Sequence, residues 1–330
     1  MVQPILDEKD EKIKFFKKYW KYDGLHVISL TKAGLRGDNQ DEMSIEFGLD
    51  EKLKRYYLFG VYDGHGEQGD QISEDCAKHL PKYIANHLRV LPTGYDDTEN
   101  YFKTLDVKGI KGNKVRMSGT TALTVMMTPK KNLYIAFAGD SSVFIMSSNK
   151  STRVNIEHNC HNKTEPEIID KVYPASSLDL LVLASDGITD RFKIFKKHPT
   201  EIYLSFLKKH KGDPDRFVRA CDGMIELCDT ITEKRICVDD MSIIIIIILN
   251  GKSEDEWYHA VTKNAENLDD WIHASEEEDL SEIDDQDIYD KHSNEVDDFL
   301  VSVPLTTIST GYYDEDSAMN FTISDDDDFD

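Results

Sequence analysis

Apolar residues along this chain follow two periods. From His26 onward, short runs rich in β-branched and aromatic residues, HVISLT, MSIEFGL and RYYLFGVYDG, predict strands. Between Gln68 and Val90 the apolar positions Ile72, Cys76, Leu80, Ile84 and Leu88 keep helical spacing and predict one helix. ALTVMMT and NLYIAFAG predict two strands separated by the turn-like PKKN, and SVFIMSS predicts another. LDLLVLAS and SIIIIIIL are continuous apolar runs of strand length, which suits strands buried on both faces. Residues from about 197 to 235 predict two helices broken at Gly212, Asp213 and Pro214. The strands follow one another mostly without long crossovers, so antiparallel pairing is expected, with helices packed outside. The predicted class is an α+β layered sandwich. KIKFFKKYWKY, in the first 25 residues, suits an amphipathic helix or a strand lying on the body.

Charge divides the chain. Asp and Glu total 63 against 39 Lys and Arg, a net −24. From Lys252 onward there are 26 acids and 3 bases, which leaves 37 acids and 36 bases in residues 1–251. A nearly neutral body thus carries an acidic end. The expected organisation is an extension over 1–25, a domain over 26–251, a further helix over 252–274 and an acidic tail over 275–330. EEEDLSEIDDQD and SDDDDFD are too charged to bury enough apolar surface to offset chain entropy, so the tail is read as largely disordered. Its charge suits a basic protein partner, and nothing in the body suits nucleic acid. The longest apolar run, Ile243 to Leu249, falls far short of the ~20 residues of a membrane span. No secretory leader is evident, and the five cysteines are odd in number without CxxC spacing. These features suit a reduced, intracellular protein, cytoplasmic or nuclear, and a monomer.

Four aspartates adjoin the strongly apolar runs: Asp63 after LFGVY, Asp140 after YIAFAG, Asp186 after LLVLAS, and Asp239 before MSIIIIIIL. Each alone suits a turn or a helix cap. If the four strand ends converge, the like charges repel unless a cation neutralises them. Carboxylates and carbonyls are hard oxygen donors that favour Mg²⁺ or Mn²⁺ over Zn²⁺, and the stretch His158 to His161 lacks further partners at zinc spacing. Gly64, without a Cβ, lets its backbone approach an ion closely.

The ordered set GLRGDNQDEM (34–43), YDGHG (62–66), SGTTA (118–122), AGDSS (138–142), ASDGITD (184–190) and DDMS (239–242) resembles the PPM-type, type 2C, metal-dependent serine/threonine protein phosphatases. The resemblance spans roughly 26–250. It implies a four-layer sandwich, two antiparallel sheets face to face and flanked by helices, with a two-metal Mg²⁺ or Mn²⁺ site at one end. In that scheme Asp63 bridges both ions, the Gly64 carbonyl is a further ligand, and Asp186 and Asp239 complete one shell. Asp41 would hold a metal-bound water, Arg36 the substrate phosphate, and Asp140 and Asp190 a weaker third ion. His65 matches the general acid. The implied reaction is hydrolysis of phosphoserine and phosphothreonine in proteins by a metal-activated water, without a phospho-enzyme.

The match has departures. Gln40 stands where many relatives have Glu, Glu67 replaces a Gly, Thr189 a common Trp, and Asp240 the usual Asn. The interval between Asp140 and Asp186 is short, so the flap beside the site is expected to be reduced or absent. Two alternatives follow: a phosphatase-like scaffold or regulatory module with little turnover, and a phosphatase for a small phosphorylated molecule.

Overall fold

The computed structural model describes residues 2–10, 15–35, 37–90, 118–155, 172–193, 195–235 and 239–266, all within one unit, Met1–Leu300. Strands and helices are numbered in chain order. The first sheet has the spatial order β1 (Leu6–Asp10), β2 (Phe15–Tyr22), β3 (Leu25–Lys32), β13 (Met241–Ile248), β12 (Leu180–Ala184), β9 (Ser142–Ser147), β10 (Lys150–Arg153). The second runs β11 (Val172–Pro174), β8 (Asn132–Ala138), β7 (Ala122–Met127), β5 (Tyr57–His65), β4 (Asp41–Phe47). The short β6 (Gly119–Thr120) pairs with the end of β5. All the described ladders are antiparallel, as expected from the short connections.

The isoleucine run explains the layering. β13 is central and buried along its whole length, and its side chains alternate between two cores. Ile243, Ile245 and Ile247 face α2 (Asp186–Lys193), α3 (Pro199–Lys209), α4 (Arg216–Arg235) and α5 (Glu254–Thr262). Ile244, Ile246 and Ile248 pack instead with Phe59, Val61, Leu123 and Val125 of the second sheet. On the far side of that sheet Leu58, Tyr62 and Met126 meet Leu80, Ile84 and Leu88 of α1 (Gly69–Val90). The result is helices, sheet, sheet, helix: four layers.

The N-terminal stretch is strand, not helix. Asp23 and Gly24 both have positive φ (50° and 75°), the conformation of a two-residue hairpin turn, and they join β2 to β3 in register from Phe15↔Lys32 to Tyr22↔Leu25. Within the stretch 252–274 a helix, α5, runs over Glu254–Thr262, and residues from 267 lie outside the described set, so the expected bounds fall partly beyond it. So do Arg36 and the flap positions 156–171. Among the described residues no helix is long and apolar enough to cross a membrane.

Candidate active site

Register alone brings the site segments to one end of the sandwich. Lys32, the last residue of β3, pairs with Met241, the first of β13. Ala184, the last of β12, pairs with Ile243. The 33–40 loop, the Ser185–Asp186 junction and the Asp239–Asp240 pair therefore leave the first sheet at the same end. Across the β4–β5 ladder Asp41 lies opposite Asp63, which puts both carboxylates at the matching end of the second sheet.

The carboxylates at this end raise one another's affinity for protons. Burial raises the pKa of Asp63 far above the carboxylate range, and the charges of Asp41, Asp186 and Asp239 push it further, with a hydrogen bond between Asp63 and Asp186. Burial also raises Asp186, helped by Asp140, Asp190 and Asp239. Asp41 is raised by burial too; hydrogen bonds from Ser242 and Ser185 oppose the shift, and Asp240 and Asp186 add to it. Ser185 Oγ donates to Asp41 Oδ2 at 2.9 Å. Two buried carboxylate oxygens, Asp41 Oδ1 and Asp186 Oδ1, accept no hydrogen bond from the described residues.

Sequence-predicted residues thus divide into groups. The charges of Asp41, Asp186 and Asp239 act on Asp63, and Asp140, in the β8–β9 turn, and Asp190 act on Asp186. Asp190 is half exposed and paired to Lys193 Nζ at 2.9 Å, one turn along α2. His65 ends β5 and is exposed. Arg36 is outside the described residues. Among the described residues, no three His, Cys, Asp or Glu side chains stand close enough, as placed, to cage an ion. The fold gathers carboxylate charge without a finished coordination shell. An all-oxygen donor set with orphaned buried oxygens fits a hard divalent cation.

Several residues that hold this arrangement were not predicted. Asp240, read from the sequence only as an added charge, accepts the backbone N–H of Gly34 at 2.7 Å and of Gln40 at 2.8 Å, tying both ends of the 34–40 loop to the residue beside Asp239. Gln40 then holds the DGHG turn: its carbonyl accepts Gly64 N–H at 3.1 Å, and its Nε2 donates to the Gly66 carbonyl at 2.8 Å. A Cβ on Gly64 would overlap the carbonyl oxygens of Gly69 and Gln40, so glycine here permits close backbone packing. Thr121 Oγ1 accepts the Asp63 N–H at 3.0 Å. Arg191, fully buried, donates to the carbonyls of Gly187 and Asp239 and joins the start of α2 to the segment before β13. Thr121 and Asp240 sit inside the motifs SGTTA and DDMS, so a signal was present for both. Arg191 carried none.

Comparisons with known proteins agree with this architecture. Residues 31–167 match the family described as Protein phosphatase 2C. The chain is 23% identical over 267 residues to Protein phosphatase 2C homolog 2 of Aspergillus fumigatus, covering 66% of this chain and 60% of that protein. To the Schizosaccharomyces pombe protein of the same name it is 25% identical over 255 residues, covering 62% and 67%. To bovine Protein phosphatase 1B it is 24% identical over 256 residues, covering 66% and 51%. The chain therefore spans 60% of the length of the A. fumigatus relative. Among solved structures, a bacterial serine phosphatase superposes with a TM-score of 0.50 at 18% identity, covering 67% of this chain and 97% of that one. A C. elegans sex determining protein gives 0.50 at 17%, covering 73% and 68%. Both share the fold. Residues 31–167 thus resemble the protein phosphatase 2C family, and the six ordered motifs and the four-layer sandwich agree with that match.

Proposed function

We propose that the chain is a divalent-metal-dependent phosphatase that hydrolyses phosphoserine and phosphothreonine in proteins. The observation that carries this is the gathering of Asp41, Asp63, Asp186 and Asp239 at one end of the sandwich by strand register, with buried oxygens of Asp41 and Asp186 that accept no hydrogen bond from the described residues. Asp63, the Gly64 carbonyl, Asp186 and Asp239 are the groups that would hold two Mg²⁺ or Mn²⁺ ions, with Asp140 and Asp190 available to a third. When bound, such cations supply Lewis-acid activation of water and offset charge on the phosphoryl group.

The chain's own residues do the rest. Asp41 accepts a hydrogen bond from the attacking water and orients it. Arg36 presents a planar fork that can take two phosphate oxygens at once. Water attacks phosphorus opposite the seryl or threonyl oxygen, the P–O bond to that oxygen breaks, and the His65 imidazole delivers the proton it needs to leave as an alcohol. Products are the free hydroxyl side chain and inorganic phosphate. With the flap reduced, few remote contacts remain to convert into rate, so discrimination among phosphopeptide sequences is weak. The acidic tail contributes a salt-sensitive contact to a basic partner.

The test is hydrolysis of 4-nitrophenyl phosphate and a phosphothreonine peptide with Mn²⁺ titrated in and then chelated. Turnover that rises with Mn²⁺ and vanishes on chelation is expected. Calorimetric Mn²⁺ binding without turnover would instead make the chain a phosphatase-like scaffold, and neither in folded protein would remove the metal site.

A further inference from the structure

His65 and Gly119 are directly opposite each other in the β5–β6 ladder, with Gly64 opposite Thr120. Side chains at paired positions of neighbouring strands project on the same side, close enough to touch. Here only one of the pair has a side chain. A Cβ on Gly119 would lie 2.8 Å from both Cε1 and Nε2 of the His65 ring, closer than carbon atoms in contact can stand. The imidazole therefore lies across the α-carbon of Gly119.

Nothing else at this position calls for glycine. Gly119 is not among the residues with positive φ, so its backbone conformation is open to any L-residue. Apart from the His65 ring, no atom stands near enough to obstruct a Cβ there. Gly64, the residue before His65 in β5, differs, since backbone carbonyls close it off. The strand carrying Gly119 is also pinned on both sides: Gln68 N–H donates to Ser118 Oγ at 3.2 Å, and Thr121 N–H donates to the Asp63 carbonyl at 2.8 Å. A side chain introduced at 119 would move the ring, because the strand is held. The ring itself is exposed, and no hydrogen bond to a described residue fixes it.

We propose that Gly119 is a positioning residue whose missing side chain is the seat of the His65 imidazole. The inference rests on the reading of His65 as proton donor to the leaving alcohol. Proton donation matters in proportion to the basicity of the leaving oxygen, so a displaced ring affects alkyl and phenyl esters more than nitrophenyl esters.

The experiment uses the full chain with Gly119→Ala, Gly119→Ser, His65→Ala and the double variant Gly119→Ala/His65→Ala. In the metal-free protein, the His65 ring resonance is followed by NMR and assigned by its loss in His65→Ala. With Mn²⁺, kcat/KM is measured on 4-nitrophenyl and phenyl phosphate. The His65 resonance should shift in both Gly119 variants while the remaining histidines keep theirs. The phenyl ester should lose at least about tenfold in kcat/KM and the nitrophenyl ester less than about threefold, within the ~10²–10⁴-fold reach of general acid help. In the His65→Ala background, Gly119→Ala should cause no further loss. An unshifted resonance overturns the proposal whether or not the protein turns over substrate. Equal losses on both esters, or an added loss without His65, would show that the glycine serves the fold. A shifted resonance in a protein without turnover would keep the seat and refute the phosphatase reading alone.

Discussion

Asp63, Asp41 and Asp186 all hold their protons more tightly than a free aspartate, and burial is the first cause in each. A carboxylate whose folded pKa is raised keeps its full stability below the unfolded value, near 3.9, and loses it as pH rises through the folded value. For Asp41 and Asp186 that value is about 7, and for Asp63 it is higher. Metal-free protein should therefore melt at progressively lower temperature between about pH 4 and pH 8, and Mn²⁺ should restore more of the loss at the upper end. A melting profile flat across that range in chelator would count against a crowded carboxylate site. Asp63→Asn should raise the melting temperature of metal-free protein at pH 8, by removing a carboxyl that folding forces to stay protonated, and weaken Mn²⁺ binding at least about tenfold by calorimetry. At this scale the motifs made Asp63, Gly64 and His65 legible, because two glycines beside two ionisable groups are unusual after a buried strand. Asp240 was half legible: adjacent aspartates announce charge, but not that one faces the carboxylates and the other receives two backbone N–H groups. Arg191 was not legible, since a helical arginine reads as surface until the fold closes carbonyls around its guanidinium.

Among the elements, α2 packs tightly at its start. A Cβ on Gly187 would overlap the Asp240 carbonyl oxygen, so the helix that begins with Asp186 touches the Asp239–Asp240 backbone directly. Gly187→Ala should destabilise the protein by about 1–3 kcal/mol through overpacking, read from urea unfolding. Because it separates Asp186 from Asp239, the same change should weaken Mn²⁺ binding as well. Unfolding and binding both unchanged would mean that the contact relaxes freely. Element identity followed from pattern where one period dominated. The Ile72 to Leu88 spacing gave α1, and a run of β-branched residues of strand length gave β13. The N-terminal stretch was ambiguous because Phe15, Phe16, Tyr19 and Trp20 satisfy both periods. The deciding information lay in the Asp23–Gly24 turn, which folds this stretch back onto β3 as a hairpin.

For the whole molecule, the α+β class was legible from strand order and short connections, whereas the stacking of two sheets between helices came from family resemblance. Periodicity cannot say which buried face meets a sheet and which a helix. The charge division along the chain leads to a prediction about where the folded body ends. α5 packs as part of the core: Trp257 is fully buried, its Nε1 donates to the Asp179 carbonyl at 3.2 Å, and its ring meets Phe217 edge-on at 5.6 Å. Contacts continue to Glu266, which pairs with Lys197 Nζ at 2.7 Å, and Lys208 Nζ donates to the Ala265 carbonyl at 2.7 Å. A chain cut after residue 252 loses the buried tryptophan and leaves apolar surface over α4 open to water. Losing a buried Trp side chain costs about 3–5 kcal/mol, which for a body of this size lowers the melting temperature by at least about 6 °C. A chain cut after residue 274 keeps all of these contacts and removes mainly like charge. Its melting temperature should match that of the full chain at moderate salt, and should rise slightly at low salt, where self-repulsion is least screened. Melts of both truncations beside the full chain decide the matter. If the 1–274 form melts as low as the 1–252 form, the acidic segment contributes to the folded core and the boundary lies further along the chain.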